Sequence, residues 1–136
     1  MTDQTEPGPH GIAATRTLAM PADTNPNGDI FGGWLMAQMD VAGSLIARER
    51  AGGRVATVAV DAMAFHLPVR VGDVVSCHGL VQREGTTSLS VHVEAWVQRH
   101  LSGHEQMVTE GTFVYVAIDG NGAKRKLPPV SGMGPL

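Results

Sequence analysis

One carboxylate stands where a carboxylate is costly. Asp40 falls within a run from Ile30 to Ala47 in which almost every residue is apolar or small, Gln38 and Ser44 being the other polar positions. Its neighbours at helical spacing are Met36, Ala37, Gly43 and Ser44. A charge in such surroundings is partnered, protonated or functional. A structural carboxylate bonded to a neighbouring strand fits as well as a catalytic one. A carboxylate drawn partly out of water holds its proton more tightly, which makes it a better base near neutral pH. Eight and seven positions earlier stand Gly32 and Gly33. Two glycines in a first helical turn cost roughly 1 kcal/mol each against alanine. Such a cost is tolerated where something, a packed strand or a ligand, must approach the backbone. Free N–H groups at a helix N-terminus, with the positive end of the dipole behind them, suit an anion or a developing oxyanion. At a rise of 1.5 Å per residue, Gly33 and Asp40 of one helix are about 10 Å apart. One substrate carbonyl cannot touch both, because hydrogen-bond reach is short. If both serve one substrate they come from different chains, as in a dimer with paired helices.

The elements that must hold these residues are legible in order. Asn25, Pro26, Asn27 and Gly28 are turn residues, and Asp29 reads as the N-cap of the helix that follows. The helix runs to about Ala51, where Gly52-Gly53 stops it. Apolar on all sides, it belongs in a core; polar interruptions and its length argue against a membrane span. Strands are expected over Ile12–Met20, Arg54–Leu67, Val74–Arg83, Ser88–Gln98 and Gln106–Ile118, with a hairpin turn at Glu84-Gly85, a polar loop from Arg99 to Glu105 and a terminal turn from Asp119 to Gly122. In Ser88–Gln98, Leu89, Val91, Val93, Ala95 and Val97 share one face. Ser90, His92, Glu94, Trp96 and Gln98 share the other, the pattern of a half-buried antiparallel strand. One strand, one buried helix and four strands on short turns predict an α+β fold, an antiparallel sheet of about five strands wrapped round a central helix. Residues 1–11 read as a disordered leader, 12–130 as one domain and 131–136 as a flexible tail.

Composition narrows the function classes. Apolar content of 43% supports a core, while a charged content of only 17% suggests apolar surface covered by another subunit. The net charge of −3 leaves no basic field for nucleic acid and no basic amphipathic helix for a membrane. Cys77 is alone, so neither an internal disulfide nor a cysteine metal cluster is available. The six histidines show no metal spacing of the His-Glu-x-x-His kind, and Ser44 and Ser76 lack the context of a nucleophile elbow. With no apolar signal segment, a cytoplasmic location is expected.

An ordered set of residues carries a resemblance. Asn27-Gly28-Asp29-Ile30-Phe31-Gly32-Gly33-Trp34 is followed by Met39-Asp40, Gly53-Arg54-Val55, Thr57-Val58-Ala59-Val60, Met63, Phe65 and Pro68. Val71-Gly72-Asp73-Val74-Val75, Glu94, Trp96-Val97, Phe113-Val114 and Ala117 complete it. This set resembles the small bacterial acyl-CoA thioesterases of the hot-dog superfamily, YciA-like type, over nearly the whole chain. The resemblance implies thioester hydrolysis of acyl-CoA in a site shared across a dimer interface, and a hexamer of three dimers. It implies Asp40 as general base or nucleophile, the Gly33 N–H as oxyanion donor, and Asn27 as a site residue of the loop. Asp29, Phe31 and Gly32 would lie against the substrate, and Thr57 would line the acyl site. The hairpin Gly85-Thr86-Thr87-Ser88 would touch coenzyme A. Arg125 and Lys126, part of a short basic run, would attract its phosphates. No metal and no held cofactor is implied, coenzyme A being part of the substrate. Two rivals stay open: a hot-dog dehydratase or hydratase, for which His66 is the one foothold, and a non-catalytic acyl-CoA sensor.

Overall fold

The computed structural model describes residues 8–130 of the chain. Strand β1 (Ile12–Leu18) is followed by a 3-10 turn at Pro21–Asp23 and by α1 (Gly32–Ala51). Then come β2 (Val55–Phe65), β3 (Val74–Glu84), β4 (Ser88–Gln98) and β5 (Glu105–Ala117). The sheet is antiparallel throughout, in the order β1-β3-β4-β5-β2. One long helix lies across one face of it, the hot-dog arrangement that the pattern and the resemblance led us to expect. The alternation of β4 is realised as read: Leu89, Val91, Val93, Ala95 and Val97 are buried towards the helix. They meet Leu35, Met39, Ala42, Ile46 and Ala47 of α1 in one core cluster.

Three local expectations are corrected. The N-cap of α1 is Phe31, with no side-chain cap bond, and not Asp29. The loop instead winds round Asn25, whose side-chain oxygen accepts from the N–H of Asn27 (2.9 Å) and of Asp29 (3.2 Å). The helix is not covered on all sides. The sheet reaches one side only, and Ala37, Val41 and Leu45 stay exposed on the other. Asp40 is accordingly half-buried rather than sunk in the core. The helix stop falls as read, Gly52 taking φ 69° in the left-handed region while its N–H donates to the Arg48 carbonyl. Of the leader expected through Gly11, residues 1–7 lie outside the described residues, as does the tail 131–136. His10 is tied to the sheet, its backbone N–H donating to Glu94 Oε1 (3.1 Å).

Candidate active site

The site is built where α1 crosses β2 and β5. Thr57 and Tyr115 are direct partners in the β2–β5 ladder, and both side chains reach the helix at Asp40. The Thr57 hydroxyl donates to Asp40 Oδ1 at 2.8 Å. The Tyr115 hydroxyl lies 3.0 Å from Oδ1 and 3.0 Å from the Asp40 carbonyl oxygen; its single proton serves one of these at a time. Oδ1 is thereby held, while Oδ2 accepts nothing from the described residues and remains for a water or a substrate. The ladder slips just after Thr57, between Thr57 and Ala59, so the strand bulges beside the carboxylate. Bulges re-aim side chains next to sites.

Tyr115 is the residue that sequence reasoning missed. It is the chain's one tyrosine and is wholly buried. Burial first, and then the Asp40 charge and hydrogen bond, push its phenol far above the usual range. It therefore stays protonated and acts as a donor. Gly43 makes its path possible: a Cβ there would collide with the Tyr115 hydroxyl. A glycine in mid-helix, a turn after the carboxylate, was the one trace of this arrangement in the sequence.

At the other end of the helix face, the first turn is open. The N–H groups of Trp34 and Leu35 donate to the Phe31 carbonyl, whereas those of Gly32 and Gly33 reach no acceptor among the described residues. A Cβ on Gly33 would meet nothing within 4 Å. Packing within this chain thus gives no reason for glycine at that position. Gly32, Asn25 and Asp29 border an open cleft of about 350 Å³ that Phe65, His66 and Leu67 also line. Phe31 is half-exposed and Asn27 exposed. The side-chain amide that organises this loop is that of Asn25, not of Asn27.

The two stretches expected at coenzyme A come together at the opposite end of the helix. Gly85 N–H donates to the Ser88 carbonyl and closes the hairpin. The Thr87 carbonyl accepts from Ala117 N–H, and the Thr86 carbonyl from Leu127 N–H, at 2.9 Å each. The basic run is thereby laid along the hairpin tip. Arg125 is half-buried, its Nε donating to the Ile118 carbonyl; Lys126 is exposed. A bidentate Arg50–Glu84 pair (2.7 and 2.8 Å) ties the hairpin to the last turn of α1. His66, the foothold for a dehydratase, bonds Glu110 Oε2 through Nε2 at 3.0 Å. It sits at the sheet margin, not beside Asp40.

The arrangement offers an oriented carboxylate, a set of unsatisfied helix N–H groups, and a separate basic rim. The family description "Thioesterase superfamily" matches residues 27–103. The acyl-CoA thioester hydrolase YciA of Salmonella typhimurium is 54% identical over 123 residues, 88% of this chain and 92% of that one. A hexameric thioesterase from Yersinia pestis superposes with a TM-score of 0.85 at 52% identity, over 88% of this chain and 98% of that one. A hexameric broad-specificity acyl-coenzyme A thioesterase, solved as an aspartate-to-alanine variant, gives a TM-score of 0.86 at 48% identity, over 89% of each chain.

Proposed function

Since the chain belongs to the thioesterase superfamily, we propose that it is an acyl-CoA thioester hydrolase working on coenzyme A thioesters in the cytoplasm, with Asp40 as its base. The observation that carries the reading is the Asp40 carboxylate with one oxygen held by Thr57 and Tyr115 and the other left open. Asp40 Oδ2 takes a proton from water as the water oxygen attacks the thioester carbonyl. The oxyanion that forms is met by the N–H of Gly33 of the partner subunit, backed by the helix dipole. Collapse breaks the C–S bond, and the thiolate of coenzyme A recovers the proton from Asp40. Single turnover in isotopically labelled water tests this against attack by Asp40 itself: label in the released acid supports the base, label in the aspartate the nucleophile.

The unit is a dimer in which each Asp40 is completed by its neighbour's helix start, and three dimers make a hexamer. Support comes from the exposed apolar stripe Ala37, Val41 and Leu45, from the place of β2 at the edge of the sheet, and from the hexameric relatives. The hairpin Gly85–Ser88 with Arg125 and Lys126 would receive the nucleotide end of coenzyme A.

Gly33→Pro separates the oxyanion role from a structural one. Proline is tolerated in a first helical turn, and the Gly33 N–H has no partner among the described residues to lose. Thermal stability should barely change, while kcat should fall by about 10²–10³-fold, the usual cost of one oxyanion donor. Unchanged kcat would remove Gly33 from the mechanism. Mixing Asp40→Asn with Gly33→Pro chains then tests the shared site. Mixed dimers regain one intact site, so about a quarter of wild-type activity should return after random re-association, given the twofold interface. No recovery would mean that both residues act within one chain.

Tyr115→Phe should leave the core packed and lower kcat by about tenfold, with little change in KM, because it removes a donor that positions Asp40 without touching substrate. A fall confined to KM would contradict a positioning role.

A further inference from the structure

The sheet face turned away from α1 carries a cluster that the hydrolysis does not use. Glu94 of β4 and Glu110 of β5 are direct cross-strand partners. Like charges placed opposite each other destabilise a sheet pair, and Glu94 is only 4% exposed. Imidazoles bracket the pair. His92 Nε2 lies 3.1 Å from Glu94 Oε2 and 3.8 Å from Glu110 Oε1. His10 Nδ1 lies 2.9 Å from Glu94 Oε2, and His66 Nε2 lies 3.0 Å from Glu110 Oε2. Trp96 Nε1–H donates to Glu94 Oε1 at 2.9 Å.

We propose that His92, Glu94 and Glu110 form a binding site for a zinc-class divalent cation, with a fourth position left to water. One ligand atom from each lies within 4.8 Å of the other two. A tetrahedral ion with ligands at about 2.1 Å needs them about 3.4 Å from one another, and the 3.1 and 3.8 Å separations about His92 fall on either side of that value. An imidazole with two carboxylates suits borderline ions such as zinc. The arrangement also supplies outer partners: His66 stands behind the Glu110 oxygen remote from the ion, and the Trp96 N–H fixes the second oxygen of Glu94. The cation would neutralise the facing carboxylates and pin β4 to β5. Asp40 and Tyr115 lie on the helix side of the sheet, so the ion takes no part in the hydrolysis.

The test is calorimetric titration of the tag-free, EDTA-dialysed full-length protein with zinc chloride, and with cobalt(II), whose visible spectrum reports tetrahedral ligation. Expected are one ion per chain, an intense tetrahedral cobalt spectrum, and acyl-CoA hydrolysis that EDTA leaves unchanged. His92→Asn and Glu110→Gln, each confirmed as folded by circular dichroism and unchanged in hydrolysis, should each weaken binding more than about 100-fold, and His66→Asn about 10–100-fold, as outer partners of metal ligands do. Binding that both ligand variants retain, an octahedral cobalt spectrum, or no uptake below millimolar zinc would each overturn the site. Should one variant fail to fold, the other decides.

Discussion

An Asp40→Asn enzyme is expected to bind acyl-CoA with little change in KM and to turn it over about 10²–10⁴ times more slowly, the range over which a positioned general base contributes. The substitution is close to isosteric. Oδ1 accepts the Thr57 and Tyr115 hydroxyls, and an asparagine carbonyl accepts the same two donors. The amide nitrogen therefore takes the place of Oδ2, the oxygen on which the reaction depends, and an amide cannot accept a proton from water. Fold and assembly should be kept, so circular dichroism and gel filtration should match wild type while the thioester assay collapses. Short, medium and long acyl-CoAs should lose kcat by similar factors, because the base acts on the thioester and not on the chain beyond it. A loss of less than about tenfold, worth about 1.4 kcal/mol, would take Asp40 out of the mechanism. The rivals predict different outcomes. A dehydratase would lose its activity with His66→Asn instead, and a sensor would bind coenzyme A thioesters without turnover in either background.

Elements whose pattern is local were legible in the sequence. The alternation from Ser88 to Gln98 gave β4 its observed bounds, since a strand half covered by a helix must alternate. The body of α1 and its glycine stop were equally plain. Its start was not, because the first turn uses no side-chain cap; the loop's hydrogen bonds converge on Asn25 two residues before the asparagine the motif suggested. The covering of α1 was misread for a related reason. Hydropathy reports that Ala37, Val41 and Leu45 want to leave water, but not whether a sheet or a second subunit takes them. Asp40 and Gly33 could be picked out by cost: a charge and two glycines where helices disfavour them. Thr57 entered through the resemblance alone, and Tyr115 looked like any core aromatic. Their partnership is a matter of ladder register between strands far apart in sequence. The same holds for His92, Glu94 and Glu110, which become neighbours only once β4 and β5 are aligned.

Gly43→Ala should harm this protein far more than its chemistry suggests. In an exposed helix the change would stabilise by about 1 kcal/mol. Here the new methyl would collide with the Tyr115 hydroxyl and crowd its ring. Tyr115 has little room to yield, being wholly buried in the core cluster. Overpacking of this kind costs about 1–3 kcal/mol, so the melting temperature should drop by several degrees. Activity should fall as well, because a displaced hydroxyl no longer holds Asp40. The cause can be isolated with a double-mutant cycle. Tyr115→Phe removes the atom in closest conflict, so Gly43→Ala should cost less in the phenylalanine background, with a coupling of about 1 kcal/mol or more between the two positions. If the two effects simply add, the hydroxyl is not what excludes a side chain at position 43, and the account of how Tyr115 reaches the carboxylate fails with it.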